Sequence, residues 1–151
     1  MDSGRRNPAP DVYVYGDNPT IAFLTICTAQ RQKGLANTEV HKALVRTWTE
    51  ADSWLVGHYV IMPDHIHLFC APQSHDFSVE QWITYWKRQV RRICESAPKF
   101  QSRGFHHRLR RGESYAEKVE YVRHNPVRAG LVKGAEEWQF KGQLNVLPWW
   151  E

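Results

Sequence analysis

Cysteine is scarce in this 151-residue chain, and the three present, Cys27, Cys70 and Cys94, lie far apart within apolar runs. Such spacing builds neither a zinc finger nor a disulfide framework, and it suits buried thiols in a reducing compartment. No apolar run reaches the ~18 residues of a membrane span, and the N-terminus carries no apolar leader. The expectation is a soluble, cytoplasmic protein with no membrane contact. Internal repeats and low-complexity tracts are also missing. Acid is nearly absent from one long stretch. Between Lys87 and Arg111 only Glu95 opposes Lys87, Arg88, Arg91, Arg92, Lys99, Arg103, Arg108, Arg110 and Arg111.

What is present describes an ordinary folded domain. Apolar residues make up 42% and charged residues 24% of the chain, close to globular averages, and the length suits one core. A formal charge of +4 and a pI near 9.1 lean towards a polyanionic partner. Seven tryptophans are many for this length, and most are expected in the core. Residues 1–18, rich in Pro, Gly, Asp and Arg, read as a flexible lead-in. Residues 19–140 carry the domain and 141–151 a tail.

Hydrophobic periodicity orders the elements. Ile21 to Thr28 is almost continuously apolar and suits a central strand. Asn37 or Thr38 caps a helix with Val40, Ala43, Leu44 and Trp48 on one stripe. Trp54 to Met62 and the run from His65 form an antiparallel hairpin through Pro63-Asp64. Ser78 and Gln81 make a capping box for a helix whose Val79, Trp82, Ile83, Trp86, Val90 and Ile93 share a stripe. Lys87, Arg88, Arg91 and Arg92 are left towards its polar side, where a solvated face is the plain reading. Phe105 to Leu109 makes a fourth strand. The order β-α-β-β-α-β predicts an α+β, ferredoxin-like antiparallel sheet with two helices on one face. An additional C-terminal helix follows.

Two stretches carry chemistry. In Met62-Pro63-Asp64-His65-Ile66-His67-Leu68, strand alternation puts His65 and His67 on one face and Ile66 and Leu68 on the other. Paired imidazoles are candidate metal ligands. Asp64 is expected to point away from His65. Further on, Ser114 and Glu117 form a second capping box, so a helix runs towards Asn125, which Pro126 makes its last residue. Tyr115, Val119 and Val122 line its buried stripe. Tyr121 and Asn125, four apart, form a neighbouring pair that this stripe cannot bury.

The histidine stretch, together with Glu120-Tyr121-Val122-Arg123-His124-Asn125-Pro126-Val127-Arg128-Ala129-Gly130-Leu131-Val132, resembles the single-tyrosine HUH transposases. Within them the chain is most similar to the branch associated with bacterial repetitive extragenic palindromes. The resemblance spans about Ile21 to Trp138. It implies His65, His67 and Asn125 as ligands of a divalent metal, Mg²⁺ or Mn²⁺, and Tyr121 as nucleophile, carried by the additional helix. The implied activity is transposition: nicking and joining single-stranded DNA that bears foldback hairpins, through a covalent 5′-phosphotyrosine. Lys87, Arg88, Arg91, Arg92, Arg103, Arg108, Arg110 and Arg111 become a track for the DNA backbone. Arg123 and Arg128 contact phosphate or remain solvated, and His106 and His107 are read as inert. The family includes helix-swapped homodimers and monomers acting in cis, and both stay open, as does a non-catalytic single-stranded nucleic-acid binder of the same fold.

Overall fold

In the computed structural model, residues 19–150 are described, so the lead-in at 1–18 lies outside the described residues. The elements are β1 (Ala22–Cys27), α1 (Thr38–Glu50), β2 (Trp54–Ile61), β3 (His65–Pro72), α2 (Val79–Ile93), β4 (Phe105–Arg108), α3 (Tyr115–Arg123), α4 (Asn125–Arg128) and β5 (Lys141–Gln143). All strand pairings are antiparallel, in the order β4-β1-β3-β2-β5. The first four strands give the expected ferredoxin-like arrangement.

Helix starts follow local chemistry. Asn37 accepts from the Val40 N–H to cap α1. Ser78 and Gln81 exchange both bonds of their capping box at α2. Apolar residues of both helices meet Leu24, Ile26, Ile66, Leu68 and Cys70 in the main core. Trp48, Trp54, Trp82 and Trp86 lie within it, as expected for most of the tryptophans. Ile93, placed by periodicity on the buried stripe, is instead exposed at the end of α2.

The opposite face carries a smaller core of Val60, Phe69, Ala71, Val119, Val122 and Leu147, with Tyr115 packed against it. So α3 lies across the sheet from α1 and α2, and it covers only part of that face. Two details differ from the sequence reading. α3 ends at Arg123 rather than Asn125, because Pro126 has no N–H for the Val122 carbonyl and its ring crowds that turn. The His124 N–H closes the end on Tyr121, and α4 restarts with proline in its first turn, where the missing donor does no harm. Beyond residue 140, where the sequence suggests a tail, β5 pairs with the outer edge of β2 and Leu147 enters the second core.

Candidate active site

Alternation along β3 turns His65 and His67 towards the α3 face, while Ile66 and Leu68 enter the main core. The two rings are in edge contact, centroids 4.7 Å apart and inclined at 77°. Each has its Nδ1 engaged. His65 Nδ1 donates to Asp64 Oδ1 at 2.8 Å. His67 Nδ1 lies 3.0 Å from Oγ1 of Thr25, directly opposite it in the β1–β3 ladder. A carboxylate can only accept, so Nδ1 of His65 is the donor in this contact. His67 is held neutral by its surroundings. Burial, with the charges of His65 and Arg128 added, pushes its pKa down to about 4.

Asp64 corrects the expectation that it points away. It precedes β3 rather than lying within it, so strand alternation does not govern its direction. Its second oxygen accepts from Arg31 Nε at 3.1 Å. Burial opposes its ionisation, but bonds from His65 and Arg31 outweigh that and hold its carboxyl below the usual range. Arg31 reaches Asp64 from a turn in which Gln30 and Arg31 both adopt positive φ, 56° and 54°. Two successive non-glycine residues in that region are costly, and such strain is often held at functional sites. Nothing in the residue types announces this arginine. Cys27, expected to be a buried thiol, is half-exposed opposite His65 on the same face, whereas Cys70 and Cys94 are buried.

A cavity of about 620 Å³ opens between this face and α3. His67, Phe23 and Phe69 line it from the sheet, Tyr121 from α3, and Asn125 and Arg128 from α4. The Phe23 ring stacks on His67 at 5.4 Å and 19°. Tyr121 is 67% exposed, as its position off the buried stripe predicts. The Arg128 guanidinium lies 3.7 Å above the centre of the Tyr121 ring. Tyr115 takes the core role assigned to it: its ring meets Phe69 edge-on, and burial raises its pKa to about 12.

Among the described residues, no group of three or more His, Cys, Asp or Glu is placed to hold a metal ion. A cation here would rest on the two imidazoles and the Asn125 amide oxygen. The donor chemistry suits one: both Nδ1 atoms are anchored, both Nε2 atoms are left over, and His67 is held in its neutral, ligating form.

The cations scatter. Of the cations expected to contact DNA, Arg128 alone lines the cavity with Tyr121, beside Lys118. Arg123 forms a fork on Glu120 at 3.0 Å to each oxygen. On the far side of the sheet, Lys87 donates to the Gln101 carbonyl and Arg91 to that of Ala97, fastening the following loop to α2. Burial lowers the Lys87 pKa. Arg88 is exposed on α2, and Arg92 shares a groove with Lys42 and Arg46 of α1. Arg103 precedes the edge strand β4, Arg108 ends it, and Arg110 and Arg111 follow in the loop to α3. The β4 histidines divide between the faces. His106 lies near Glu80 on the α2 side, and His107 enters the cavity, 3.2 Å from Glu113.

No family model matches the chain. It is 25% identical over 122 residues to a REP-associated tyrosine transposase of Escherichia coli, covering 78% of this chain and 73% of that protein. Its fold is similar to that of a REP-associated tyrosine transposase solved bound to a REP hairpin, with a TM-score of 0.68 and 22% identity. That match covers 93% of this chain and 82% of the other. No helix among the described residues is long and apolar enough to cross a membrane.

Proposed function

We propose that this chain, a relative in sequence and fold of the REP-associated tyrosine transposases, is a metal-dependent single-stranded DNA endonuclease and strand transferase acting on hairpin-forming DNA. The observation that carries the reading is the meeting of His67, Tyr121, Asn125 and Arg128 on the walls of one cavity. A water-exposed tyrosine in one cavity with the neutral His67 imidazole serves phosphoryl transfer better than it serves packing. His65, His67 and Asn125 would hold Mg²⁺ or Mn²⁺, the mixed nitrogen and oxygen set favouring Mn²⁺. Bound there, the ion would neutralise charge on the scissile phosphate.

The chain's own groups do the rest. Tyr121 attacks phosphorus and the bond to the 3′ oxygen breaks, leaving a 5′-phosphotyrosine and a free 3′ hydroxyl. Bond energy is kept in the adduct, so a second 3′ hydroxyl can reverse the step. Arg128 holds the tyrosine ring and brings positive charge to the phosphate. Asp64 and Thr25 fix the two imidazoles so that little reorganisation is needed. The hairpin-bearing strand passes along the β4 edge, where Arg103, Arg108, Arg110 and Arg111 lie between the two faces. From there Lys87, Arg88, Arg91 and Arg92 extend the positive surface behind the sheet, and Arg123 extends it beside Tyr121. Tyr121 and Asn125 reach His67 within one chain, which favours action in cis over a helix-swapped homodimer.

The test is incubation with labelled hairpin-bearing single-stranded DNA and Mn²⁺ or Mg²⁺, followed by a denaturing protein gel. The expected result is a covalent adduct that disappears in Tyr121→Phe. Cleavage that persists in that variant would point to water as the nucleophile, and binding without cleavage to a non-catalytic binder.

A further inference from the structure

The sequence places Glu117 in a capping box with Ser114, and the structure forms only half of it. Ser114 Oγ accepts from the Glu117 N–H at 3.1 Å, but the Glu117 carboxylate does not return to the Ser114 N–H. At α2 the equivalent Gln81 does return. Glu117 is exposed and is one of the residues lining the cavity. The neighbouring acids are spent elsewhere. Glu120 is bound by Arg123, and Glu113 by the Arg110 N–H, His107 and Lys118. Glu117 stands one helical turn before Tyr121, on the same wall of the same cavity. Helical side chains lean towards the N-terminus of their helix, so the Tyr121 phenol inclines over the turn that Glu117 occupies.

Resting on the transferase reading above, we infer that Glu117 is the proton acceptor for Tyr121 during cleavage and the proton donor to it during rejoining. An unassisted phenol ionises near pH 10 and is a weak nucleophile at neutrality. The imidazoles of the cavity have other roles: His67 Nδ1 lies against Thr25 and its Nε2 is the atom that would hold the cation, while His107 Nε2 lies against Glu113. In the forward step the Tyr121 O–H bond breaks and its proton passes to the Glu117 carboxylate, directly or through one water. The phenolic oxygen forms the O–P bond, the P–O3′ bond breaks with its electron pair going to O3′, and that oxygen takes a proton from solvent. In reverse, an incoming 3′ hydroxyl gives its proton to solvent, and the departing tyrosine oxygen recovers the proton from Glu117. The titratable and charged groups that line the cavity with Glu117 are Lys118 on α3, Glu113 before it, His107 on β4, His67 on β3 and Arg128 on α4.

Adduct formation by the full chain with hairpin-bearing single-stranded DNA and Mn²⁺, followed from pH 6 to 10, tests this. Glu117→Gln should bind DNA and melt as the unsubstituted protein does, yet form adduct about a hundredfold more slowly near neutrality. Its rate should rise with pH and close the gap as the phenol ionises by itself. Formate should restore part of the rate to Glu117→Ala. A deficit constant across pH, no deficit, or no rescue by formate would overturn the assignment. Absence of adduct from the unsubstituted protein would sink the transferase reading itself, and this inference with it.

Discussion

Replacing His67 by glutamine should flatten the acid limb of the protein's stability. In the folded protein the His67 pKa is pushed down to about 4 from an ordinary 6.5, chiefly by burial. The unfolded chain therefore takes up a proton between these values that the folded chain refuses. The contribution is whole above pH 6.5, shrinks as pH falls, and is gone below about pH 4. A depression of this size is worth about 3 kcal/mol in full, of which about 2 kcal/mol is lost by pH 5. For a domain of this length that is roughly 4–8 °C in Tm. Melting curves of metal-free protein in chelator, at half-unit steps from pH 7.5 to 4.5, measure it. His41, His58 and His106 are also shifted down by burial, but they are common to both proteins and cancel in the difference. Between pH 7 and 5 the unsubstituted protein should lose several degrees more than His67→Gln. Parallel curves would show that His67 titrates freely and that its burial does not set its protonation.

Asp64→Ala removes the acceptor that fixes His65 Nδ1–H and the partner of Arg31; Mn²⁺ affinity should fall about 10–100-fold by titration calorimetry. Arg128→Ala removes the guanidinium from the Tyr121 ring, and loss of that contact alone should slow adduct formation about two- to fivefold; a rate equal to that of the unsubstituted protein would show the contact to be idle. Arg103→Ala and Arg110→Ala should each weaken binding of single-stranded DNA and reduce the slope of log K against log salt by about 0.7; an unchanged slope would remove the β4 edge from the DNA path.

Regular elements were legible because their periods are. The three long strands and the starts of α1 and α2 all appear within a residue or two of where apolar spacing and caps put them, while α2 stops at Ile93, short of Pro98. The histidine pair and the exposed Tyr121 follow from the same arithmetic. What escaped depends on contacts distant in sequence or on backbone alone. Lys141-Gly142-Gln143 has no apolar alternation, and it becomes a strand because the β2 edge offers free backbone groups. Strand alternation does not reach Asp64, which lies in the turn before β3, and Arg31 reaches it through a positive φ that its residue type disfavours. The run from Lys87 to Arg111 looks continuous on paper, but the sheet divides it between two faces. Ser114 and Glu117 have the letters of a capping box, yet only the Ser114 half forms.

The alternation of β3 has a consequence for variation. Between residues 65 and 68 neighbouring positions answer to different constraints. Leu68→Ala would open the main core and cost about 2–5 kcal/mol, enough to deplete folded protein. Truncation of exposed Tyr121 should leave abundance within ~0.5 kcal/mol of the original stability. A saturation library scored separately for abundance and for adduct formation would resolve β3 into two interleaved profiles. Ile66 and Leu68 would be limited by abundance, and His65 and His67 by activity. Inactive but folded variants would then be easy to obtain, and binding measured on them would separate capture of a DNA strand from cutting it.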